Sequence, residues 1–343
     1  MPKRIGTRTV LLENKPTVIG HAAVVGNTEG DGPLGKEFDR VHRDDTVGKA
    51  SFEQAESAMQ REAIVCALEK AGKVPADVDF ILSGDLLAQC IGSAFGVRDL
   101  GIPFLGLYGA CSTMALSLGL ASVLVDSGAA NLAVAATSSH FASAERQFRQ
   151  PLEYGGQRPP TAQRTATAAG ATVLTSEAPN DTQKHPRIAA VTFGKIIDLG
   201  IKDANNMGAA MAPAAADTIA AFLKDTNTSP TDYDLILTGD LGTVGTSLLG
   251  DLLEKDHHIN IHPVHNDCGL LIYDREKQDV HAGGSGCGCA ASVLNAHILK
   301  RMEQGELKKV LLTATGAMMS LTSSLQGESI PSVAHAVLIT AEE

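Results

Sequence analysis

Pro75-Ala76-Asp77-Val78-Asp79-Phe80-Ile81-Leu82-Ser83-Gly84-Asp85-Leu86 recurs later in the same chain as Pro230-Thr231-Asp232-Tyr233-Asp234-Leu235-Ile236-Leu237-Thr238-Gly239-Asp240-Leu241. Eight of the twelve positions are identical, where unrelated segments would share about one, given ordinary residue usage. A second pair follows in the same order. Cys111 opens an apolar helical stretch that leads into Leu132-Ala133-Val134-Ala135-Ala136-Thr137, and Cys289 opens another that ends at Val310-Leu311-Leu312-Thr313-Ala314-Thr315. Two ordered pairs imply two similar half-folds with a site where they meet. The halves are expected at 1–180 and 181–343.

Working outward, residues 51–70 place Phe52, Ala55, Met59, Ala63 and Leu68 at helical spacing, and Gly72 marks the stop. Short continuous apolar runs at 80–82, 103–107 and 132–136 fit strands buried on both faces. Their alternation with helical stretches argues for parallel βαβ units. Residues 141–167 break the pattern. They are polar, carry Arg146, Arg149, Arg158 and Arg164, and contain Gly155-Gly156 and Pro159-Pro160, so a long functional loop is expected. Strand-like runs at 171–174 and 188–191 are expected to close the first half. In the second half, Pro213 is expected at the first position of a helix running to about Lys224. A helix near 247–255, a strand at 259–264 and a strand at 336–339 follow. The repeat offset grows between the Gly-Asp motif and the cysteines, which places an insertion at about 266–288, expected as a hairpin-like excursion.

The bulk composition excludes several classes. Of 343 residues, 44% are hydrophobic and 20% charged, as in a globular protein with a large core. The formal net charge of −11 argues against nucleic acid and against simple electrostatic binding to anionic lipid. The apolar stretches are too short to span a bilayer, and no secretory signal is visible behind Met1. Six cysteines, mostly in apolar segments, suit free thiols of a reducing compartment. Cys287-Gly288-Cys289 is too closely spaced for a zinc knuckle, so no metal and no cofactor are expected.

Cys111 follows a strand-like run and a Tyr108-Gly109-Ala110 turn and then starts a helix. A thiol there would feel the positive end of the helix dipole, which lowers its pKa. The small neighbours Gly109, Ala110 and Ser112 allow a sharp turn that exposes the thiol, like a nucleophile elbow; the plainer alternative is a buried structural cysteine, as expected for Cys66. Asp85 and Asp240 stand at the carboxyl ends of duplicate strands, where ligands bind in α/β sheets. They would hydrogen-bond a ligand or help to hold a calcium ion that travels with it, or they are helix N-caps. His265 is the best histidine candidate for the pocket, ahead of His140 and His281. Arg158 and Arg164 are the cations best suited to pair with a carboxylate.

The duplicated halves, the Gly109-Ala110-Cys111-Ser112 turn and Gly286-Cys287-Gly288-Cys289-Ala290-Ala291-Ser292-Val293 resemble the thiolase-like superfamily of β-ketoacyl-ACP synthases. The segments 154–163, 206–215 and 265–269 are similar to a branch of that superfamily found in bacterial endospore formers. The resemblance implies an α/β, thiolase-like fold in which two duplicated βαβαβ halves pack as a layered αβαβα sandwich. Condensing members use Cys, His and Asn. The Cys matches Cys111, but Gly239 stands at the His position and Cys287 at the Asn position. Without those partners a thiolate could be acylated but could not readily run a condensation.

What the resemblance implies about function is therefore binding without catalysis. The expected ligand is dipicolinic acid, alone or with calcium, taken up into the developing spore. The ligand would sit beside Cys111 between the halves, near Asp85, Asp240, His265, Arg158 and Arg164. Membrane channel proteins of the same sporulation system are the expected partners, with a homodimer also expected. The expected location is the forespore, peripheral to the spore inner membrane. The alternatives are an active acyltransferase or condensing enzyme using Cys111, and a scaffold for the channel subunits with no ligand.

Overall fold

The structure is a computed structural model that describes residues 1–148, 158–177, 179 and 183–341. Each half repeats one plan. The first contributes β1 (Thr17–Val25), α1 (Phe52–Lys70), β2 (Phe80–Gly84), α2 (Ile91–Val97), β3 (Phe104–Gly106), α3 (Thr113–Asp126), β4 (Leu132–Ser139) and β5 (Ala168–Thr175). The second contributes β6 (Arg187–Phe193), α4 (Met207–Thr226), β7 (Leu235–Thr238), α5 (Gly242–His257), β8 (His265–Asp267), α6 (Cys287–Val293), β9 (Lys309–Ala317) and β10 (Ser332–Thr340). The spatial orders are β3-β2-β4-β5-β1 and β8-β7-β9-β10-β6. In both, the first three strands run parallel and the last two antiparallel. The two sheets touch edge to edge through one pair, Arg187 with Thr17. The boundary expected at 180/181 lies outside the described residues.

Three layers of helix enclose the sheets. Helices α1 and α2 cover one outer face, while α4 and α5 cover the other. Helices α3 and α6 fill the middle layer. Every residue of α6 is buried, and so are ten of the fourteen in α3. A helix apolar on all sides must lie inside. Gly119 of α3 shows how close the layers come: a Cβ there would lie 2.7 Å from a methyl of Val191 on β6. The central hydrophobic core accordingly draws on both halves, from Val18 and Leu118 to Leu294 and Val337.

The repeated aspartates explain the repeated sequence. Asp77 accepts from the Val74 N–H at 2.9 Å, and Asp232 accepts from the Ser229 N–H at 2.7 Å, each closing a 3-10 turn before its strand. Asp79 accepts from the N–H groups of Asn131 and Leu132; Asp234 does the same for Lys308 and Lys309. Each carboxylate staples the start of a parallel strand to its neighbour. Ser51 caps α1 and Gly72, at φ +63°, ends it, as the sequence suggests.

Several local expectations are corrected. Helix α4 starts at Met207 with Asn206 as its cap, and Pro213 lies inside it; the alanine-rich stretch carries the helix upstream, and Pro removes only one helix bond. The strand expected at 259–264 is β8, three residues long and displaced to His265–Asp267, because 262–264 form a 3-10 turn around Pro263. The run at 188–191 belongs to β6, which opens the second sheet. Cys111 precedes α3 by two residues. Residues Phe141–Phe148 are helical, while Arg149 and 150–157 lie outside the described residues. The insertion is no hairpin: after a short helix (Cys268–Leu271), Gly284–Ser285 pairs parallel with Arg164–Thr165 of the other half.

Strand β9 runs directly under the turn that carries Cys111. A Cβ on Gly316 would lie 2.0 Å from the Gly109 carbonyl oxygen and 3.2 Å from the Ser112 nitrogen. Gly316→Val should therefore cost ~1–3 kcal/mol through overpacking, read as a lower thermal midpoint. An unchanged midpoint would show that the turn yields freely.

Candidate functional site

The Cys111 turn is built by its own side chains. Leu107 N–H donates to Ser83 O at 2.9 Å, ending β3. Ala110 then adopts φ +49°, a conformation that costs a non-glycine residue of order 1 kcal/mol and collects at functional turns. Ser112 Oγ donates to Gly109 O at 2.6 Å, and Thr113 Oγ1 donates to Ala110 O at 2.6 Å. The sharp turn read from the sequence is present, but it does not expose the thiol as that reading expects. Cys111 itself is 5% exposed.

The electrostatics reverse the expectation of a lowered pKa. The Cys111 thiol is pushed well above its ordinary value by burial and by the nearby Asp240 carboxylate. A carboxylate near a buried thiol penalises a second negative charge more than a helix two residues away rewards it. The resemblance put Gly239 where condensing enzymes have His. Gly239 faces Ala314 and Ala290, and the group against the thiol is Asp240. No hydrogen bond joins Cys111 to a histidine among the described residues. Cys287 opens α6 behind the elbow, and its thiol donates to Ser138 O at 3.0 Å. Leu86, Ala110, Cys111, Ala144 and Cys287 form one small buried cluster.

Asp240 is wholly buried. One oxygen accepts from the Gly286 N–H at 2.8 Å and the Ser285 hydroxyl at 3.3 Å; the other accepts from the Thr315 hydroxyl at 3.3 Å. Burial raises its carboxyl to about 7. Its duplicate went a different way. Asp85 accepts from the N–H groups of Leu87 at 2.8 Å and Ser93 at 2.7 Å, the capping role. Capping in the second half falls instead to Asp267, which accepts from Leu241 N–H, Gly242 N–H and Thr238 Oγ1. The oxygens of Asp85 and Asp240 are thus engaged by N–H and O–H donors. No group of three or more His, Cys, Asp or Glu stands together to hold a metal among the described residues.

The other candidates do not converge on Cys111. His265 bonds Thr238 Oγ1 at 3.0 Å, and burial lowers it to about 4. Arg158 pairs with Asp279 at 2.9 Å, with one guanidinium nitrogen buried and unbonded. Arg164 lies 4.1 Å from the centre of the Phe141 ring, its charge beside Glu29. His140 bonds Asp45 O, and His281 pairs with the same Asp279 as Arg158. Arg146 pairs with Glu53. The structure therefore joins Cys111 and Asp240, keeps Asp85 near Cys287 as a charge, and sends His265, Arg158 and Arg164 elsewhere.

Two residues escaped the sequence reading. Glu56 is buried on α1, bonded by Ser138 at 3.1 Å and Ser143 at 2.7 Å, and burial with the Asp85 charge raises its carboxyl. Its signal was available: Glu56 and Gln60 are polar residues on the otherwise apolar stripe of α1. Tyr108 is 43% exposed, yet its phenol feels Cys111, Cys287, Asp85 and Cys90, and burial of the hydroxyl end pushes it up to about 12. A separate groove of about 1050 Å³ runs along the outer face of α1 and α2, lined by Arg40, Glu62, Ile91 and Phe95 among others; neither Cys111 nor Asp240 lines it.

Comparison with known proteins adds the following. Residues 6–340 match the family described as Stage V sporulation protein AD. The stage V sporulation protein AD of Bacillus subtilis (strain 168) is 47% identical over 336 residues, covering 98% of this chain and 97% of that protein. Among solved structures, 3-oxoacyl-[acyl-carrier-protein] synthase III from Aquifex aeolicus VF5 superposes with a TM-score of 0.57 at 15% identity, covering 95% of this chain and 99% of that one. Cerulenin-bound OleA from Xanthomonas campestris gives a TM-score of 0.59 at 13% identity, covering 96% of this chain and 98% of that one. The chain has the thiolase-like fold of these condensing enzymes.

Two outcomes follow from the charges. Asp240→Asn removes the anion beside the thiol, so Cys111 should be alkylated faster by iodoacetamide at about pH 7.5 than in the wild type, measured by mass spectrometry of the Cys111 peptide; an equal or slower rate would remove Asp240 as the cause. His265 carries the opposite sign of pH effect. Its folded pKa of about 4 lies below the unfolded value of about 6.5, so the unfolded state binds more protons in that window and stability falls as pH drops through it. The thermal-midpoint advantage of wild type over His265→Gln should shrink between about pH 7 and about pH 4.5, and a constant difference would contradict this.

Proposed function

The chain belongs to the stage V sporulation protein AD family, and from that premise we propose that it is a non-catalytic receptor for dipicolinic acid during spore formation. The observation that carries the reading is the buried Asp240 carboxylate near Cys111, bonded by Gly286, Ser285 and Thr315. A condensing enzyme needs a thiolate and neutral donors that stabilise an enolate. Here burial, with the Asp240 carboxylate nearby, pushes the thiol pKa well up, and that carboxylate would repel an enolate. Losing one oxyanion donor alone costs on the order of 3 kcal/mol of transition-state stabilisation. The elbow is kept, and the chemistry that usually goes with it is not supported by its neighbours.

Dipicolinate is a small planar dianion with a ring nitrogen. Tyr108, three residues before Cys111 and half-exposed, offers a flat aromatic face, and the Ser285 hydroxyl and Gly286 N–H are taken up by Asp240. Arg164 pairs through its backbone with Gly284, while its guanidinium lies on the Phe141 ring beside Glu29. The channel proteins of the same system are the partners this reading calls for, with the protein peripheral to the spore inner membrane. No described helix is long and apolar enough to cross a membrane, so such an association would run through the partners.

Isothermal titration of the full chain with dipicolinate, beside an isomeric pyridine dicarboxylate and with or without calcium, tests the reading. Saturable binding that prefers dipicolinate is expected, weakened by about tenfold or more by Cys111→Ala and by Tyr108→Ala. Absence of binding sinks the receptor reading. An acyl mass increment on Cys111 after incubation with an acyl thioester would instead favour an active acyltransferase.

A further inference from the structure

We infer that the groove along the outer face of α1 and α2 is a docking site for an acidic amphipathic helix of a partner protein. Neither Cys111 nor Asp240 lines this groove, so the inference goes beyond the receptor reading and stands apart from it. The floor is α1. Gln54, Ala58, Arg61, Val65 and Glu69 line the groove, and their spacing of three or four residues puts them on one helix face. Met59, Ala63 and Ile64, on the other side of α1, are buried. The helix therefore turns one stripe to the core and leaves a second stripe uncovered. From Glu53 to Glu69 the lined stretch runs ~24 Å, or about four turns of helix.

One wall is α2, held close against the floor by its glycines. Ser57 Oγ of α1 donates to Gly92 O at 2.9 Å, and a Cβ on Gly96 would lie 2.9 Å from Ser57 O. Ile91 and Phe95, one turn apart on α2, line the groove and are 42% and 51% exposed. The other wall is the segment 40–49, which contributes Arg40, His42, Val47 and Lys49. Val47 and Cys66 are half-buried and carry the apolar base across to that wall. A trough of this length and about 1050 Å³ suits a row of apolar side chains at i, i+4, i+7 and i+11 of a docked helix. A compact ligand would leave most of it wet.

Charge selects which helix fits. The chain as a whole carries −11, but the groove does not share that sign. Arg146, from outside the groove, takes Glu53 at 2.6 Å. Glu62 is shared by Arg40 and His42, and Asp99 by Arg61 at 3.0 Å and Arg98 at 3.7 Å. Arg40, Lys49, Arg61 and Arg98 thus face only Glu62, Glu69 and Asp99, and cations are in excess. Arg98 also lies 4.9 Å from the centre of the Phe95 ring, which sets a positive charge directly over the apolar wall. Exposed ion pairs are weak, so these side chains can turn to carboxylates on an incoming helix. Glu or Asp flanking its apolar stripe would be attracted, and Lys or Arg there repelled. A lipid surface offers anions too, but it is flat and would not fill a trough between two walls.

The test is fluorescence anisotropy of the full chain with labelled helical peptides of about 16 residues, beside phosphatidylglycerol vesicles. The peptides share apolar positions i, i+4, i+7 and i+11 and are flanked by Glu, by Gln or by Lys. Saturable binding of the Glu peptide is expected, at least about tenfold tighter than that of the Lys peptide, and weaker in about 0.5 M than in about 0.05 M salt. Phe95→Ala, and separately the pair Arg61→Glu with Arg98→Glu, should each weaken it by about tenfold or more. These side chains are exposed, so the thermal midpoint of both variants should stay near that of wild type. No saturable binding of the Glu peptide, equal binding of all three peptides, or binding untouched by both variants overturns the inference. Vesicle binding in place of peptide binding does the same. So does self-association that Phe95→Ala abolishes, which would make a second copy the occupant. Titration with dipicolinate reads the receptor site separately, so each of these failures leaves that reading where it stood.

Discussion

Two helices that are apolar on every side have to be buried on every side, and the rest of this molecule is arranged around that requirement. Helices α3 and α6 lie in the middle layer between two five-stranded sheets, and the sheets in turn need α1, α2, α4 and α5 on their outer faces. Because both middle helices start at the seam between the halves, their N-terminal turns meet at one place. Cys111 and Cys287 are what each half brings to that meeting point. The elbow is then held from below by β9, through the close approach of Gly316 to Gly109.

The duplicated aspartates separate scaffold from site within a single sequence. Asp77 with Asp232, and Asp79 with Asp234, make the same hydrogen bonds in both halves. Asp85 and Asp240 do not. One caps a helix and the other faces a thiol, and the vacated capping duty passes to Asp267. A fold needs its staples twice, but a site between the halves needs asymmetry. Divergence at the third pair is therefore where function is to be sought.

The fold was legible because duplication, apolar runs and the Cys turn are local patterns, and the sheet orders and helix layers follow from them with few alternatives. Element limits were less legible where chemistry competes locally, as at Pro213 and Pro263. The site was legible only in part. Cys111 and Asp240 could be picked because a strained turn and a strand end are sequence-local signals. Which of the two Gly-Asp motifs faces inward depends on which helix start lies beside it, and that is tertiary. The sign of the Cys111 pKa shift failed for the same reason: the helix dipole is visible in the sequence, while the approach of Asp240 across the interface between halves is not.

That approach has a mechanical meaning. Cys111 belongs to the first half and Asp240 to the second, while Ser285 and Gly286, which bond Asp240, are held in register by Arg164 and Thr165 of the first half. The described five-stranded sheets otherwise share one edge pair, Arg187 with Thr17. A molecule seated between the thiol and the carboxylate would act as a rivet through the seam, and its binding free energy would add directly to the cohesion of the two halves. Occupancy of the pocket and rigidity of the whole chain would then be one quantity read at two places.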